Sequence, residues 1–475
     1  MKVGGSNPLE RIKIIKKLLT KLIKKLIKCV VYLMTILNKI NKIIKEKQHF
    51  LLSYSGGLDS TVLLHLMIKL REIKNIHLRA IHINHRLHKE STLWSNHCQE
   101  KCKKYNIPII INNITIHQTK NNMESYYRNI RYQLIYKNIL PQETLLTAHH
   151  LNDQCETFLL ALKRGSGPTG LSCMPVYKKN GNITHMRPLL NISQDTIKKW
   201  AKKHQLKWIE DPSNSNIKYD RNFIRKKIIP ILQKRWPFFI KNCSRSAKIC
   251  NEQEQVIDLF LEPIVQKNTL FDNSLNITYL KKINKELRNI ILRKWIIKNG
   301  VQQTPSYNGI NRIYTDIINN NKTSTPKISF KKYEIKKYKN TIHLVQPIMP
   351  SMKHIILFWH DTSLPLSLPN QLGQIINNNT GMKIPYPKKS TLINIRFQAN
   401  GTFYIDGYTY KIKLKNIWKM FNLPYWKREN IPLLFYDDIL ISALGVFVTR
   451  HSNLNFNKYW YLSWQNNITK NKNYI

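Results

Sequence analysis

Apolar runs separated by helical segments follow one another in the first half of the chain and predict alternating strands and helices. An apolar run over 49–54 leads into helical spacing over 59–71, and further apolar runs follow at 76–85, 108–116 and 144–150. This order is typical of βαβ units, because parallel strands need a crossover helix between them. We therefore predict an α/β fold with a doubly wound parallel sheet and helices on both faces. Its ligands should bind at the carboxyl ends of the strands.

The chain on either side of this region has other patterns. Residues 9–45 carry apolar positions at helical spacing between lysines, which indicates a basic amphipathic helix. A membrane-surface or RNA-binding arm, a packing helix and an extension that selection ignores all fit that pattern. We predict a basic extension at 1–47, the α/β domain at 48–240, a mainly helical middle domain with short strand-like runs at 245–345, a linker rich in Pro and Asn at 346–390, and a small α+β domain at 391–475.

The charge of the chain indicates a polyanionic partner. The sequence has 77 Lys and Arg against 27 Asp and Glu, a formal net charge of +50. Such a surplus favours nucleic acid binding, although an A+T-rich genome would also inflate Lys, Ile and Asn. No apolar run reaches the roughly 20 residues of a membrane span, and no secretory cleavage site is evident. The seven cysteines form no C-x-x-C pair. We therefore expect a cytoplasmic protein with reduced thiols and no zinc or iron–sulfur site. The oligomeric state stays open, with a homodimer as one alternative.

The stretch LLSYSGGLDSTVLLHL, residues 51–66, places a tight glycine turn between a strand and a helix. A turn of this kind exposes backbone N–H groups at the positive end of a helix, where phosphate binds well. No lysine follows the glycines, so the turn is not the phosphate loop of kinases and GTPases. It resembles instead the PP-loop of ATP pyrophosphatases, which adenylate a carbonyl-type oxygen and release pyrophosphate. The predicted ATP-binding residues are Ser55, Gly56, Gly57, Leu58, Asp59 and Ser60.

A second group of polar residues follows the fourth predicted strand. Asp153 and Glu156 are three residues apart on the first turn of a helix, so they share a face and can point into the cleft of the phosphate loop. Arg164 and Gly165 belong to the cationic turn KRGSGPTG, which predicts another anion site.

Few residues suit a metal ion. Asp59 stands at a helix start, where it could hold a Mg²⁺ that bridges phosphates, and a helix-capping acid is the alternative. His149 and His150 lack further ligands at a recognisable spacing. A structural or hydrogen-bonding histidine pair is therefore favoured over a metal site.

Several motifs together resemble the tRNA(Ile)-lysidine synthetase family. They are SGGLDS (55–60), HINHRLH (82–88), H-H-x-x-D-Q-x-E-T (149–157), KRGSGPTGLS (163–172), DPSNSNIKYDRNFIR (211–225) and the C-terminal stretch at 410–448. The resemblance implies a PP-loop catalytic domain in 48–240 and a tRNA-binding domain in 391–475. It implies that ATP with Mg²⁺ adenylates the C2 oxygen of the wobble cytidine in tRNA(Ile) with a CAU anticodon. The amine of L-lysine then attacks C2 and expels AMP, and the lysidine formed changes decoding from methionine to isoleucine.

The candidate catalytic residues for that reaction are Asp59, Arg128, Arg131, Asp153 and Glu156. Attack requires a neutral lysine amine, so a carboxylate pair that holds the ammonium and accepts its proton is reasonable, and Asp153 and Glu156 are the candidates. Arg128 and Arg131 resemble the family's arginine pattern and would bind phosphate or the adenylated base, with a solvated helix face as the alternative. The residues predicted to contact tRNA or nucleotide are Arg164, Gly165, Arg221, Asn222 and Arg225.

Two further expectations concern single positions. The family commonly has an acid where this chain has Asn152, so we expect a weakened Mg²⁺ dependence. Lys415 and Trp418 stand among other lysines and aromatic residues, which suits phosphate neutralisation and base stacking on tRNA. Burial of the aromatic residues in the core of a small β domain is the competing explanation.

Three rival functions fit the sequence less well. A tRNA thiolase of the PP-loop class usually needs a reactive cysteine pair or an iron–sulfur cluster, and C-x-x-C is absent. A synthetase of small metabolites would share the ATP site but would not need the basic charge. A non-catalytic RNA-binding protein would explain the charge but not Asp59, Asp153 and Glu156 beside two glycine-rich anion sites.

Overall fold

A computed structural model of the chain describes residues 36–84, 90–114, 123–301, 304–320, 326–346, 351–388, 390–405, 408–450 and 458–465. The chain divides into two compact units, Met1–Phe260 and Leu261–Ile475. Most of the predicted N-terminal helix, and part of the HINHRLH motif, lie outside the described residues. Within the described ranges, no helix is long and apolar enough to cross a bilayer.

The first unit contains a six-stranded sheet with the strand order β3-β2-β1-β4-β6-β5. All neighbouring strands are parallel except β5 and β6. The predicted doubly wound parallel sheet is confirmed, and its four predicted strands correspond to β1 to β4. The strands are β1 (His49–Ser53), β2 (His77–Asn84), β3 (Ile109–Asn113), β4 (Thr144–Leu146), β5 (Tyr177–Asn180) and β6 (Ile183–Met186).

Helices cover both faces of this sheet. The first, α1, is described over residues 36–44. A π-helical turn, Ile224–Ile228, joins α8 to α9. The others are α2 (Leu58–Arg71), α3 (Ser91–Lys104), α4 (Met123–Asn138), α5 (Leu151–Lys163), α6 (Pro168–Leu171), α7 (Gln194–Lys203), α8 (Asp220–Phe223), α9 (Ile229–Arg235) and α10 (Phe239–Asn268).

The strand β1 shows why the sheet needs helices on both sides. Phe50 and Leu52 are buried in one apolar cluster, and Leu51 is buried in a second cluster with residues of α4. Successive side chains of a strand point to opposite faces, so the side chains of a continuous apolar run are buried on both faces of the sheet. Ile40 and Ile44 of α1 belong to the first cluster. The part of the predicted extension that the structure describes therefore packs into the core of the α/β domain.

The second unit starts with helices around a four-stranded sheet, in the order β7-β10-β9-β8. Trp295 lies at the centre of its core and is fully buried. The predicted mainly helical middle region with short strands is confirmed. Its elements are β7 (Leu275–Asn276), α11 (Ile277–Leu280), α12 (Lys285–Lys298), α13 (Tyr307–Arg312), β8 (Lys327–Phe330), β9 (Tyr333–Tyr338) and β10 (Thr341–Val345).

The C-terminal region is rich in β-structure, and the segment predicted as a linker belongs to it. Within 346–390, β11 pairs with β14 and β13 pairs with β20. Pro and Asn suggested a loop, but the apolar positions between them are buried in the sheets, so this prediction was wrong. The elements are β11 (Ile356–Phe358), β12 (Leu366–Ser367), β13 (Gln374–Pro385), β14 (Ile393–Arg396), β15 (Thr402–Phe403), β16 (Ile412–Lys413), α14 (Leu414–Met420), α15 (Tyr425–Arg428), β17 (Leu433–Tyr436), β18 (Ile439–Ala443), β19 (Phe447–Val448) and β20 (Tyr459–Gln465).

Candidate active site

The glycine turn between β1 and α2 has a conformation that only glycine adopts easily. Gly56 has a φ of 80°, and a Cβ atom there would lie 2.7 Å from Cδ1 of Ile209. The backbone N–H of Ile209 donates a hydrogen bond to the carbonyl of Gly56 at 2.9 Å. Gly57 caps α2 without a side-chain hydrogen bond to the first turn. The N–H groups at the start of α2 are therefore available to an anion.

Hydroxyl groups hold the turn in this shape. The Oγ atoms of Ser55 and Ser60 lie 3.0 Å apart, and Ser60 donates to the carbonyl of Gly57 at 3.0 Å. Thr61 donates to the carbonyl of Gly56 at 3.2 Å. The serines that the sequence assigned to ATP binding thus also fix the loop that would cradle the phosphates.

The turn opens into a cavity of about 930 Å³ at the carboxyl edge of the sheet. This volume is at the upper end of what ligand pockets usually have, so it can hold a nucleotide together with part of a second substrate. Its lining comes from the phosphate loop, α4, the turn between β4 and α5, α7, and the segment that leads into α9. The charged residues of the lining are Asp59, Arg131, Asp153, Lys198, Lys202, Glu210, Asp211, Arg225 and Lys226.

Asp59 has one carboxylate oxygen without a partner. Its Oδ1 atom is buried and accepts no hydrogen bond from the described residues, and its Oδ2 atom lies 3.6 Å from Nε2 of His150. An unpartnered buried oxygen beside a phosphate loop suits a Mg²⁺ ion. The described residues contain no group of three possible ligands. Phosphate oxygens and water would therefore complete the coordination, as is usual for this ion.

His150 caps α5 and faces two carboxylates. The Nδ1 atom of His150 accepts the backbone N–H of Asp153 at 3.4 Å, and the backbone N–H of His150 donates to Oδ2 of Asp153 at 2.9 Å. Burial alone would lower the pKa of His150, but the close contact with Asp59 and the nearby charges of Asp153, Asp59 and Glu156 outweigh it and raise that pKa. The prediction of a hydrogen-bonding histidine agrees with this geometry.

The two predicted carboxylates of α5 are bound to arginines. Nε of Arg221 lies 2.7 Å from Oε2 of Glu156, and Nε of Arg225 lies 2.6 Å from Oε1. The NH2 atoms of both arginines lie near Oδ1 of Asp153, at 3.2 and 3.3 Å. Burial would raise the pKa of Asp153, but the charges of His150 and Arg221 lower it overall. Four side chains from helices distant in sequence thus form one charge cluster.

Asp153 and Glu156 differ in access to the cavity. Asp153 lines the cavity, whereas Glu156 is 0% exposed and does not. The expectation that both carboxylates point into the cleft is therefore wrong for Glu156. The sequence could not reveal this, because the two arginines that cover Glu156 come from another helix.

Arg221, Asn222 and Arg225 were expected to contact tRNA or nucleotide, and their present partners are protein groups. Only Arg225 of the three lines the cavity. Asn222 donates to the carbonyls of Ser213 and Asn216 at 3.1 and 2.9 Å. It therefore stabilises the turn before α8.

Arg128 and Arg131 both lie close to one aromatic ring. Their Cζ atoms are 5.4 and 5.5 Å from the centre of the Tyr132 ring. Arg131 and Tyr132 line the cavity, while Arg128 is exposed. Arg131 thus has the access that its predicted role requires.

The remaining predicted residues differ in their exposure to solvent. Arg164 and Gly165 are exposed and are not among the lining residues. Trp418 is 6% exposed and packs edge-on against Phe447, so its expected role in stacking is wrong and the core explanation holds. Lys415 is exposed, as contact with RNA would require.

Asn152 has a structural role that the sequence did not reveal. Its Oδ1 atom accepts the N–H of Gln194 at 3.1 Å and so caps the start of α7. Asn152 is not among the residues that line the cavity. The expectation that it weakens Mg²⁺ binding therefore finds no support in the geometry.

Sequence reasoning missed two lysines of α7 at the cavity. Lys198 and Lys202 both line it, four residues apart on one face of the helix. This spacing is visible in the sequence, but only the fold turns that face towards the phosphate loop. The two ammonium groups add positive charge to the lining of the cavity.

A serine- and glycine-rich turn of this build, at the carboxyl edge of a doubly wound parallel sheet, defines a nucleotide-binding protein of the PP-loop class. A family model described as "PP-loop domain" matches residues 32–232. Those described as "TilS substrate binding domain" and "TilS substrate C-terminal domain" match 275–343 and 393–464.

Curated relatives identify the family. The chain is 48% identical over 441 residues to the tRNA(Ile)-lysidine synthase of Buchnera aphidicola subsp. Schizaphis graminum, an alignment that covers 91% of this chain and 98% of the relative. It is 38% identical over 418 residues to the tRNA(Ile)-lysidine synthase of Pectobacterium atrosepticum, with 88% and 94% covered. The chain belongs to the tRNA(Ile)-lysidine synthase family.

Proposed function

We propose that the protein ligates L-lysine to C2 of the wobble cytidine of tRNA(Ile) with a CAU anticodon, using ATP and releasing AMP and pyrophosphate. The observation that carries this proposal is the identity to named tRNA(Ile)-lysidine synthases over nine-tenths of the chain, the 48% relative included. The phosphate loop and the acid–arginine cluster at one cavity support it independently. We place the reaction in the cytoplasm, where tRNA is found.

In the first step, the cytidine O2 atom bonds to the α-phosphorus of ATP and the bond to the β-phosphate oxygen breaks. The backbone N–H groups of Leu58 to Ser60, at the start of α2, are placed to bind the phosphates. A Mg²⁺ ion held by Asp59 would supply charge neutralisation for the leaving pyrophosphate. Arg131, Lys198 and Lys202 supply further positive charge, which matters most as negative charge develops.

In the second step, the neutral amine of lysine bonds to C2 while the C2–O bond breaks, AMP leaves with that oxygen, and the proton released from the amine passes to solvent water. Asp153 is the carboxylate of α5 that lines the cavity, so it is our candidate for holding the lysine ammonium. Its lowered pKa makes it a good electrostatic partner but a weak proton acceptor. Glu156 is a positioning residue in this proposal, because both of its carboxylate oxygens are bound by the arginines that fix the cluster.

The tRNA requires a surface larger than the cavity. We infer that the regions at 275–343 and 393–464 bind it, because the matching family models are described as substrate domains. Exposed lysines such as Lys415 would meet the phosphates. Binding should weaken steeply with salt, as expected when phosphate contacts release counterions.

The decisive experiment is incorporation of labelled lysine into purified tRNA(Ile) with a CAU anticodon, in the presence of ATP and Mg²⁺. Elongator tRNA(Met) is the control RNA, and Asp59→Ala is the control enzyme. We expect label only in the isoleucine tRNA and only with the wild-type enzyme. Absence of label, with ATP still split to AMP and pyrophosphate when tRNA is present, would leave an RNA-adenylating enzyme with another second substrate, such as a sulfur donor.

A further inference from the structure

A line of buried polar groups runs beneath the cavity. It begins at Arg187, which is 5% exposed, and passes through His185 and Thr147 to His149. NH2 of Arg187 lies 3.2 Å from Nδ1 of His185, and Nε2 of His185 lies 2.8 Å from Oγ1 of Thr147. Oγ1 of Thr147 lies 2.9 Å from Nδ1 of His149. Three hydrogen bonds therefore join the four groups. Of the four, Thr147 and His149 line the cavity.

The pairing of strands brings these groups together. Leu145 of β4 is opposite His185 of β6, and the N–H of Thr147 donates to the carbonyl of Met186 at 3.1 Å. Thr147 and Arg187 therefore stand side by side where two parallel strands end. This is the edge of the sheet at which ligands bind.

The direction of every hydrogen bond in the line follows from its first member. A guanidinium has donors only, so Nδ1 of His185 must accept and carries no hydrogen. The hydrogen of His185 is then on Nε2 and is donated to Thr147. Among the hydrogen bonds of the described residues, Nδ1 of His149 is the one acceptor within reach of the hydroxyl hydrogen of Thr147, so we assign that hydrogen to this bond and the hydrogen of His149 to Nε2. The line fixes one tautomer at each histidine.

Both histidines remain uncharged near neutral pH. Burial, together with the charges of Arg187 and Lys178, lowers the pKa of His185 to about 3. Burial also lowers the pKa of His149 well below its usual value. In the described part of the chain no protein atom is hydrogen bonded to Nε2 of His149, while the residue itself lines the cavity. A neutral donor is thus presented to whatever the cavity binds.

We propose that Arg187, His185 and Thr147 are positioning residues that hold His149 as an uncharged Nε2–H donor to a phosphate oxygen of the bound nucleotide. This rests on the proposed function, because it requires ATP in the cavity. A donor fixed in advance costs no reorganisation while negative charge grows on the phosphoryl oxygens. It also follows that His149 does not accept the proton of lysine, since its nitrogen at the cavity already carries a hydrogen.

Two substitutions at Thr147 separate this role from simple packing. Thr147→Val keeps the shape and removes the hydroxyl, whereas Thr147→Ser keeps the hydroxyl and removes a methyl group. The assay is adenylation alone, measured as transfer of labelled AMP from α-labelled ATP to tRNA without lysine. We expect kcat to fall about 10- to 100-fold in Thr147→Val with a smaller change in KM for ATP, and to stay within about 2-fold of wild type in Thr147→Ser. Thr144→Val removes a hydroxyl at the start of β4, outside the line, where it accepts a hydrogen bond from Lys47 at 3.0 Å; it is the control for loss of a hydroxyl near the site and should adenylate tRNA as wild type does.

Other outcomes would overturn the proposal. Full activity in Thr147→Val would mean that the hydroxyl of Thr147 has no role. Loss of activity in Thr147→Ser would mean that packing of the methyl group matters instead. If Thr147→Val does not fold, His149→Gln and His149→Ala decide, because only the glutamine amide can still donate. Retention of more activity by Gln than by Ala supports a donor, and equal activity refutes it. If the wild-type enzyme forms no adenylated tRNA, the proposed function fails instead, so the two failures are distinguishable.

Discussion

Replacing Glu156 by glutamine should destabilise α5 strongly, because it leaves two half-buried arginines with one carboxylate. The side chain is 0% exposed and takes three contacts from Arg221 and Arg225, at 2.7, 2.6 and 3.0 Å. Glutamine has the same shape, so Glu156→Gln creates no cavity. Its amide NH₂ group would face guanidinium donors and could not pair with them.

The expected cost follows from the burial of the cluster. Removal of one partner from a buried ion pair typically costs about 3–5 kcal/mol, since the remaining charge is left without compensation. Each 1.4 kcal/mol corresponds to about a tenfold change in an equilibrium constant. The amides of α5 should therefore exchange with solvent at least about 100-fold faster in Glu156→Gln, as measured by hydrogen exchange and mass spectrometry.

An exposed ion pair supplies the matched control. Asp220 binds Lys163 at 2.6 Å, and their side chains are 62% and 60% exposed. Asp220→Asn should cost no more than about 1 kcal/mol. If Glu156→Gln leaves the exchange of α5 unchanged and yet abolishes lysine transfer, Glu156 acts on the substrate and our assignment of a positioning role is refuted.

Three further substitutions test other parts of the site. Gly56→Ala should raise KM for ATP about tenfold, since strain at its positive φ and the contact with Ile209 cost about 1–3 kcal/mol, whereas Gly165→Ala, in open space, should leave KM unchanged. Asn152→Asp should add about 0.3–1 kcal/mol of stability at the start of α7 and leave the Mg²⁺ requirement unchanged; a shift of that requirement by more than about threefold would contradict the capping role. His185 is neutral in the fold with a pKa of about 3 and would ionise in the unfolded chain below about 6.5, so it lowers stability as pH falls through this range. The free energy of unfolding, measured by urea denaturation, should therefore drop by about 2 kcal/mol less between pH 7 and pH 5 in His185→Gln than in wild type. An equal drop in the two proteins would argue against a neutral His185.

The elements of the catalytic domain that depend on local pattern could be predicted. The run Phe50 to Leu52 is apolar at every position, and burial on both faces of a parallel sheet explains it. The antiparallel pair β5 and β6 also had a local signal that was not used. Gly181 and Asn182 form the two-residue turn between these strands, and Gly181 has a positive φ, as such hairpin turns require.

The partners of the site residues could not be predicted. Asp153 and Glu156 share a helical face, and this spacing correctly placed both in one cluster. The arginines that bind them are 65 to 72 residues away, and no local spacing connects charges over that distance. Trp418 was ambiguous for the same reason, because an aromatic residue on a short amphipathic helix faces the core or RNA according to tertiary contacts alone.

The separation between the acids and their arginines has a consequence for synthesis of the protein. Glu156 leaves the ribosome 65 residues before Arg221 and 69 residues before Arg225. At about 5–20 residues per second, the carboxylate waits roughly 3–13 seconds for its first partner. During that time Glu156 must stay hydrated, since a buried carboxylate without a partner is too costly. The nascent sheet can therefore form before α5 docks, and the nucleotide site is completed only after α8 and α9 have been translated.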